Sequence, residues 1–345
     1  MNSINVGTNN IGDNHPVFII AEIGGNFNSF EKGRKLIDEA ISCGANAVKI
    51  QTFKAENLVS KYATFIMPNV GGKKKQIDII EKLELDNKIQ KKLFQYCKKK
   101  KILFFSTPSH KDDVDFLEKI GNKIYKIGSD DLTNLPLMEY VAKLQKPTII
   151  STGMSTIEEV REVVKIFCKA KNDQLAILHC VSMYPHDPKY ANLKTIEKMK
   201  KEFKVPVGWS DHTLGIETCV TAAILGANIV EKHFTLNKKA KGPDHILSAD
   251  PEELSKMIKR IRELDKIIGD GIKKPAECEL GNRKNVRKSI VALKNIKIGT
   301  TITRDLLGIK RPGNGYSPKN MDRIIGKKAK KNIMKDKPIK IGDIK

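Results

Sequence analysis

The sequence lacks any long apolar segment. Its hydrophobic runs fall short of the roughly 18 residues that a membrane-spanning helix requires, which excludes a membrane span. The opening segment MNSINVGTNNIGDNH also lacks a basic stretch followed by an apolar core, so it does not resemble a secretory signal. From these two absences we expect a cytoplasmic protein with no membrane partner.

Cysteine is scarce and unpaired along the sequence. The six cysteines are scattered over 345 residues and no two form a C-x-x-C pair. This distribution favours reduced thiols over a disulfide framework and argues against a structural zinc site. A chain of this length can bury one barrel-sized core and still form a second, smaller domain.

Acidic residues are outnumbered by basic ones. The chain has 40 Asp and Glu against 63 Lys and Arg, a net charge of +23, which raises nucleic acid as a partner. Residues 286–345 alone carry 17 basic and four acidic residues. The lysines there are spread evenly, without a helical stripe, interleaved aromatics or a nucleic-acid motif. We therefore expect a solvated surface and no nucleic-acid partner, although a basic nucleic-acid-binding protein stays open as an alternative that a salt-sensitive mobility shift would support.

What the sequence does contain is an alternation of short apolar runs and helical patterns over its first 270 residues, which predicts a parallel sheet. The apolar runs are VFIIAEIG (17–24), AVKIQT (47–52), ILFFSTP (102–108), IYKIGSD (124–130), PTIISTGM (147–154), LAILHCVSMYP (175–185), VPVGWSDHT (205–213) and NIVEKHFTL (228–236). Eight such βα units indicate a (β/α)₈ TIM barrel, although counting alone does not exclude an open, doubly wound sheet.

Polar residues collect at the C-terminal ends of these runs. That end of a barrel carries active sites because the βα loops converge there. The polar positions are Glu22, Lys49, Gln51, Thr107, Lys126, Ser129, Ser151, Ser182, Ser210, His212 and His233. A polar residue at the end of one run carries little information, but polar residues at the ends of all eight runs predict a site at the barrel mouth.

The pattern also divides the chain into parts. Residues 1–270 are predicted to form the catalytic TIM-barrel domain, 271–285 a polar linker, and 286–345 a small all-β domain suited to act as a cap. A long insertion at about 54–76 ends in NVGGKKKQ, and its length predicts either a lid or a disordered loop.

With these motifs in place, the sequence resembles the sialic acid synthase family. AEIGGNFN, GANAVKIQTF, FFSTP, YKIGSDD, STGMST, GWSDHT, EKHFTL and GPDHILSADP occur in the order seen in that family. The tail, RKSIVALKNIKIGTTIT followed by IKRPGNGYSP, is similar to its C-terminal SAF domain, which resembles type III antifreeze protein. The resemblance covers almost the whole chain.

The resemblance implies a transferase that condenses phosphoenolpyruvate with an N-acetylated amino-hexose to give a nine-carbon 2-keto sugar acid. Both N-acetylmannosamine and a 2,4-diacetamido-trideoxyhexose stay open as the sugar. The resemblance further implies a divalent metal, typically manganese, with magnesium and cobalt as alternatives. It also implies a domain-swapped homodimer, in which the C-terminal domain of one subunit covers the barrel mouth of the other.

Two positions depart from the family pattern. Asn26, Phe27, Asn28 and Ser29 stand where the family commonly reads N-H-N-G, and Ser182 stands where N-acetylneuraminate synthases often carry Asn. Related synthases of bacterial diacetamido sugar acids more often have Ser at the latter position. The departures bear on the identity of the sugar and leave the chemistry plausible.

His212 and His233 end neighbouring strands of the predicted barrel. Two imidazoles there would share one metal and leave coordination positions for water and substrate, as a Lewis-acid site requires. In the family the matching pair holds the metal that polarises the sugar aldehyde. A lone strand-end histidine is more often a hydrogen-bonded core residue, and we expect that structural role for His179 and His186.

Phosphoenolpyruvate carries about three negative charges, so its pocket needs cations together with hydroxyl or backbone donors. Lys49 and Lys126 are the candidate cations, because a lysine within an apolar strand is costly unless it meets an anion. The alternative is a lysine whose stem packs while its ammonium reaches solvent. Hydroxyl groups would come from Thr107, Ser129, Ser151, Ser182 and Ser210.

Glu22 has two interpretations. It either forms an ion pair with Lys49 that only holds the barrel together, or acts as a general base for the addition of water. The resemblance favours the catalytic role, which it assigns to Glu22 together with Lys49, His212 and His233.

The remaining candidates would bind the sugar. Gln51, Tyr184 and Asp244, the last in the loop KGPDH, would contact sugar hydroxyls. In the family the arginine that matches Arg311 reaches across the dimer to the N-acetyl group; without the resemblance, Arg311 would be taken for a surface residue in a rigid loop. A second enzymatic interpretation is a phosphoenolpyruvate-dependent synthase of a seven- or eight-carbon sugar acid phosphate, but those enzymes lack the SAF domain.

Overall fold

The computed structural model describes residues 3–66 and 73–345. The strands are β1 (Ile4–Val6), β2 (Asn9–Ile11), β3 (Phe18–Glu22), β4 (Ala47–Thr52), β5 (Thr64–Ile66), β6 (Lys73–Lys75), β7 (Leu103–Pro108), β8 (Tyr125–Ile127), β9 (Thr148–Ser151), β10 (Leu175–Cys180), β11 (Val207–Asp211), β12 (Ile229–His233), β13 (Ser289–Ala292) and β14 (Leu307–Lys310). The α-helices are α1 (Phe30–Ser42), α2 (Ala55–Leu58), α3 (Ile77–Ile80), α4 (Asn87–Lys100), α5 (Lys111–Ile120), α6 (Leu135–Lys143), α7 (Ile157–Lys169), α8 (Lys194–Phe203), α9 (Glu217–Ile224), α10 (Pro251–Ile268), α11 (Leu280–Val286) and α12 (Met321–Ile324). Short 3₁₀ turns lie at Pro188–Tyr190, Glu277–Glu279, Arg304–Leu306 and Pro318–Asn320.

Eight parallel strands close into a barrel in the order β3, β4, β7, β8, β9, β10, β11 and β12, and β12 pairs back to β3. Each of these strands lies within one of the eight apolar runs, so the TIM-barrel prediction is confirmed. The register places Glu22 opposite Lys49 on one side and His233 on the other. Closure of the sheet therefore brings these three side chains to one rim.

The side chains of the strands alternate between two apolar layers. Val48 and Ile50 of β4 pack in the layer between barrel and helices, where Ile37 of α1 is fully buried. Ala47 lies in the interior cluster of the barrel, and Lys49, two residues on, shares its face. Burying one aliphatic side chain of this kind contributes about 1.5–3 kcal/mol, so the apolar positions enforce the inward direction of Lys49.

Helix α7 shows how the sequence sets the helical layer. Thr156 accepts a hydrogen bond from the Glu159 N–H at 3.3 Å, and the Glu159 carboxylate accepts one from the Thr156 N–H at 2.7 Å. This capping box satisfies backbone donors that a helix start leaves open. Val160, Val163 and Phe167 form the buried stripe of the helix, as their spacing in the sequence predicts.

The antiparallel hairpin β1–β2 closes the N-terminal end of the barrel. Ile4, Val6 and Ile11 are at most 1% exposed and pack with Phe18 and Ile20 in the interior cluster. The apolar hairpin thus separates the barrel interior from water at the end opposite to the predicted site. No apolar run of the sequence predicts this hairpin.

Residues 270–345 form a second compact unit with its own apolar core. Within it β13 pairs antiparallel with β14, and Ile290, Ile302 and Ile339 are fully buried. The segment 271–285, predicted as a polar linker, contains most of α11, whose side chains are exposed. So short a helix leaves most of its backbone N–H and C=O groups without intrahelical partners, and in an exposed segment water can satisfy them.

The insertion predicted at about 54–76 contains α2 and the antiparallel hairpin of β5 and β6. Residues 67–72 lie outside the described residues, so the prediction of a lid or a disordered loop stays a prediction. Within the described ranges, no helix combines the length and the apolar character needed to cross a bilayer.

Candidate functional site

The C-terminal ends of the barrel strands surround a cavity of about 540 Å³. Among the residues that the structure describes, the wall of this cavity includes every predicted site residue except Asp244 and Arg311. These wall residues are Glu22, Lys49, Gln51, Thr107, Lys126, Ser129, Ser151, Ser182, Tyr184, Ser210, His212 and His233. Side chains from all eight barrel strands or the loops that follow them therefore converge on one cavity.

Two lysines and two glutamates form a buried cluster in this wall. Lys49 Nζ forms an ion pair with Glu22 Oε2 and lies 3.7 Å from Glu231 Oε1. Lys126 Nζ lies 3.8 Å from the same Glu231 oxygen. The four residues are at most 4% exposed. Their charges cancel, which makes the burial of four ionisable groups tolerable.

Burial and neighbouring charge act in opposite directions on the four groups. Burial raises the pKa of Glu22 by more than Lys49 lowers it, whereas Lys126 and Lys49 outweigh burial at Glu231 and lower its pKa. Burial lowers the pKa of Lys126 despite Glu231, while at Lys49 burial is outweighed by Glu22 and Glu231, which raise the pKa. Perturbed pKa values of this kind, shifted both by burial and by specific charged neighbours, are typical of active sites.

Hydroxyl groups border the charged cluster. Lys126 Nζ donates to Ser151 Oγ at 2.5 Å, and Lys49 Nζ donates to Thr107 Oγ1 at 3.1 Å. Ser210 Oγ donates to Glu231 Oε1 at 3.2 Å. The hydroxyls thus orient the ammonium groups and hold one of the carboxylates.

Ser129 and Ser182 meet at Gly153. The Gly153 N–H donates to Ser129 Oγ at 2.9 Å. A Cβ at position 153 would collide with Ser182 Oγ and would lie 3.0 Å from Ser129 Oγ. A side chain at position 153 would therefore displace the Ser182 hydroxyl from this part of the cavity wall.

His212 and His233 lie side by side, with ring centroids 5.4 Å apart. His212 Nδ1 donates to the carbonyl oxygen of Val181 at 2.8 Å, which leaves the lone pair on Nε2. His233 Nδ1 is buried and has no hydrogen-bond partner among the described residues. Tyr184 stacks on His212, with ring centroids 3.9 Å apart, and fixes one face of that imidazole.

The two imidazoles fit a divalent metal ion. Burial lowers the pKa of His212 to about 4 and that of His233 well below its usual value, so both are neutral at neutral pH and can ligate. In the described part of the chain, no group of three or more His, Cys, Asp or Glu is arranged to hold a metal. An ion bound by this pair would therefore take its other ligands from water and substrate.

Two predicted sugar-binding residues lie outside the cavity wall. Asp244 Oδ2 is 3.9 Å from His233 Nδ1, and burial followed by the charge of Glu22 raises the pKa of Asp244 to about 7. Its carboxylate also approaches Gly25, where φ is +76° and a Cβ would lie 2.9 Å from Oδ2. Arg311 belongs to the second compact unit, where it is exposed.

Glu231 and the apolar part of the wall were not among the predicted site residues. Glu231 precedes His233 by two residues on β12, and this spacing, which puts both on the inward face, is the signal that would have found it. The apolar part of the wall comes from Phe53, Leu58, Ile80, Leu83 and Met154. Leu58 lies on α2, within the predicted insertion, and Ile80 lies on α3, just after it, so the insertion contributes to the site.

His179 and His186 have other surroundings. His179 Nε2 donates to the carbonyl oxygen of Ala191 at 2.8 Å, and His186 Nδ1 lies 2.9 Å from the carbonyl oxygen of Asp187. Both rings pack against Trp209. Neither is among the described residues that line the cavity, in agreement with the structural role expected for them.

Known proteins share this architecture and sequence. The profile of the NeuB family matches residues 36–273, and the profile of the SAF domain matches residues 287–345. The chain is 43% identical over 328 residues to the N,N'-diacetyllegionaminic acid synthase of Campylobacter jejuni, covering 93% of this chain and 98% of that one. It is 37% identical over 330 residues to the protein of the same name from Legionella pneumophila, covering 93% of each chain.

A solved structure is also similar to this chain in sequence and fold. The N-acetylneuraminic acid (sialic acid) synthetase of Leptospira borgpetersenii is 35% identical and superposes with a TM-score of 0.74, covering 81% of this chain and 95% of that one. The family profile spans well over half of the chain, and the two relatives match the chain over nearly their whole lengths. The resemblance is confirmed: the chain belongs to the NeuB family of sialic-acid-type synthases and carries a C-terminal SAF domain.

Proposed function

We propose that the protein condenses phosphoenolpyruvate with an N-acetylated amino-hexose and releases a nine-carbon 2-keto sugar acid and phosphate. The observation that carries this proposal is the cluster of Glu22, Lys49, Lys126 and Glu231 beside the two neutral imidazoles in one cavity. The lysines suit a polyanionic substrate, and the imidazoles suit a metal that activates a carbonyl group.

Lys49 and Lys126 would bind the phosphate and carboxylate groups of phosphoenolpyruvate. Both ammonium groups are already oriented by hydroxyls, from Thr107 and Ser151. An anion with about three negative charges competes with Glu22 for Lys49, because a charge-assisted contact with phosphate is among the strongest available in a protein. Substrate binding would therefore release the Glu22 carboxylate from its ion pair.

His212 and His233 would hold a divalent cation, manganese first with magnesium and cobalt as alternatives, which supplies Lewis-acid polarisation of the sugar aldehyde. C3 of phosphoenolpyruvate attacks the aldehyde carbon, a C–C bond forms, and the aldehyde oxygen takes a proton. Water then adds to C2, and Glu22, whose pKa burial raises, accepts the proton that the water loses. The C2–O bond to phosphate then breaks, and the leaving phosphate takes the C2 hydroxyl proton, which leaves the keto group. Glu22 returns its proton to solvent, and this balances the proton that the aldehyde oxygen took from solvent.

We further propose that the sugar is a 2,4-diacetamido-trideoxyhexose. Compared with N-acetylmannosamine, it carries a methyl in place of a hydroxymethyl group and a second acetamido group in place of a hydroxyl. These groups bury favourably against the apolar part of the wall, whereas hydroxyls there would lose hydrogen bonds to water. The two relatives named as diacetyllegionaminic acid synthases support the same choice.

Gln51, Tyr184 and Asp244 would bind the hydroxyl end of the sugar. Arg311 would complete the site from a second copy of the chain, in a domain-swapped homodimer. Its guanidinium presents a fixed fork of donors, which can hold the carbonyl of an acetamido group in one orientation. This part of the proposal rests on the resemblance and on the exposure of Arg311 within its own unit.

Product analysis by mass spectrometry tests the proposal. The protein is incubated with phosphoenolpyruvate, Mn²⁺ and either a 2,4-diacetamido-trideoxyhexose or N-acetylmannosamine, with and without a chelator. We expect a nine-carbon acid and phosphate, with kcat/KM for the diacetamido sugar at least about tenfold higher. His212→Ala is the matched inactive control. Absence of product with both sugars, or turnover that the chelator does not reduce, would contradict the proposal.

A further inference from the structure

Asp211 and Lys232 form an ion pair that is closed off from water. Both side chains are 0% exposed, and Lys232 Nζ lies 2.6 Å from Asp211 Oδ2. The two residues face each other in the register of β11 and β12. Neither is among the described residues that line the cavity, so the pair is separate from the charged cluster of the site.

The hydrogen bonds of this pair reach strand β11, the turn that follows it and helix α9. Asp211 Oδ1 accepts from Trp209 Nε1 at 3.1 Å and from Thr218 Oγ1, on α9, at 2.8 Å. The Thr213 hydroxyl donates to the same carboxylate oxygen at 3.0 Å. Lys232 Nζ also donates to the backbone carbonyl of Thr213 at 2.6 Å. One ammonium thus ties together the end of β11 and the turn that follows it.

The pair occupies the chain positions next to the two candidate metal ligands. Asp211 and Thr213 flank His212, and Lys232 directly precedes His233. Lys232 is therefore bonded to the residues on both sides of one histidine and is covalently joined to the other. Because adjacent strand residues point to opposite faces, the charges lie towards the helices while the imidazoles face the cavity.

Stability alone does not explain such a network. Desolvation offsets most of the attraction between buried charges, and apolar side chains of similar size usually stabilise a core as well or better. The best-attested use of a buried polar group is to fix a register. Here the ion pair fixes β11 against β12 at the point where the two histidines leave their strands.

We propose that Asp211 and Lys232 are positioning residues that hold His212 and His233 at the spacing a divalent cation requires. This inference rests on the metal-binding role proposed for the two histidines. The pair acts through the backbone of the ligands rather than on the substrate. Its removal should therefore weaken metal binding in a protein that is still folded.

The test measures Mn²⁺ affinity of the metal-free full-length protein from the paramagnetic resonance signal of the free ion, together with the visible spectrum of the Co²⁺ form. For Lys232→Met we expect the Kd for Mn²⁺ to rise about 10- to 100-fold, the range seen when groups that orient metal ligands are removed. The Co²⁺ spectrum should change as well, because the ligand geometry changes.

Lys200→Met is the matched control. Lys200 Nζ lies 2.5 Å from Asp13 Oδ1 and 2.7 Å from the carbonyl oxygen of Gly226, at the N-terminal end of the barrel. Removing this ion pair should leave the Kd for Mn²⁺ within about twofold of the wild-type value, since it is remote from the histidines. Equal weakening in both lysine variants would assign the effect to general destabilisation and overturn the positioning role.

Thr218→Val provides a milder variant that keeps the proposal testable if Lys232→Met does not fold. It removes one hydrogen bond to Asp211 at nearly constant volume, and the Kd should rise roughly threefold to tenfold, the equivalent of one hydrogen bond. Unchanged Mn²⁺ affinity in either folded variant overturns the inference. Failure of the proposed function is distinguishable, because His212→Ala would then bind Mn²⁺ as tightly as the wild type does.

Discussion

Lys49 lies between two carboxylates, paired with Glu22 and 3.7 Å from Glu231. The sequence alone left two interpretations of the Glu22–Lys49 pair, a structural ion pair or part of the chemistry. The structure meets the conditions of both, because the pair is buried and also lines the cavity. The two contributions are separable. The stability lost when one buried charge is removed returns when its charged partner is removed as well. The activity lost with a substrate contact does not return in that way.

We predict that Lys49→Met lowers kcat/KM by about 10²- to 10³-fold and the free energy of unfolding by roughly 3–5 kcal/mol. The double variant Lys49→Met/Glu22→Gln should regain most of the stability, because no buried carboxylate at position 22 is left unpaired, and should stay inactive. Urea denaturation and steady-state kinetics measure the two effects. A double variant as unstable as the single one argues against the ion pair, and an active single variant argues against the catalytic role.

Asp131 offers a second residue-scale prediction, on stability and pH. Its Oδ1 accepts from Asn134 Nδ2 at 2.9 Å, while Oδ2 is buried with no partner in the described part of the chain. Burial raises the pKa of this carboxyl from 3.8 to about 6. The folded protein therefore holds the proton more tightly than the unfolded chain does, and stability is lost as the pH rises from about 4 to about 6.

Asp131→Asn should remove this loss. We expect the free energy of unfolding to rise by roughly 1–3 kcal/mol at about pH 7.5, with little gain at about pH 4, where the folded wild-type protein already carries the proton. The amide keeps an acceptor for Asn134. Urea denaturation of both proteins at the two pH values measures the difference. A gain of the same size at both pH values would show that ionisation of Asp131 is not its cause.

At the scale of elements, the barrel strands were predictable because each is a short apolar run between helical segments. Helix α7 was predictable from its apolar spacing and its Thr156–Glu159 capping box. The hairpin β1–β2 was not, because each of its strands has only three residues and neither lies within a longer apolar run followed by a helical segment. A pattern that short has no period to recognise, and its apolar side chains find their partners only once the barrel has closed.

The candidate site was predictable residue by residue where a polar side chain ends an apolar strand. The spacing of Glu231 and His233 marks both as inward-facing, but the charge partners of Glu231 lie on other strands, Lys49 on β4 and Lys126 on β8. The distances between Glu231 and the two lysines depend on the register of the closed sheet, and the sequence around Glu231 does not reveal that register. The apolar wall escaped for a related reason, since α2 and α3 look like ordinary loop segments until they lie over the barrel mouth.

The apolar wall leads to an element-scale prediction about Leu58 on α2. Leu58→Asn should lower kcat/KM for the diacetamido sugar about tenfold or more, because apolar contacts of this size discriminate by roughly that factor. The KM for phosphoenolpyruvate should stay unchanged. Leu225→Asn is the control, since Leu225 is a partly exposed leucine just after α9, outside the described cavity wall. Equal losses with the diacetamido sugar and with N-acetylmannosamine would contradict the assigned role of the wall.

At the scale of the whole molecule, the proposed homodimer makes a prediction about Arg311. Arg311→Ala should weaken use of the sugar far more than binding of phosphoenolpyruvate. Mixed dimers of Arg311→Ala and His212→Ala chains contain one composite site with both residues intact. Activity should therefore return in part when the two inactive variants are refolded together, and a coupled phosphate-release assay measures it.

Each variant refolded alone is the control for this experiment. Persistent inactivity of the co-refolded mixture would contradict the domain-swapped arrangement. Full activity of a chain that ends at residue 285 would contradict any role of the second unit in catalysis. Both outcomes leave the assignment of the barrel cavity untouched, because the described residues of its wall all precede that point.

The pairing of β12 with β3 has a consequence for biosynthesis. Ile229 pairs with Phe18, more than 200 positions earlier in the chain. At roughly 5–20 residues per second, a ribosome needs about 10 to 40 s to travel from the first barrel strand to the last. During that interval the nascent strands carry unpaired edges and uncovered apolar faces. The yield of folded protein in a foreign host should therefore depend on chaperones that act before β12 emerges from the ribosomal tunnel.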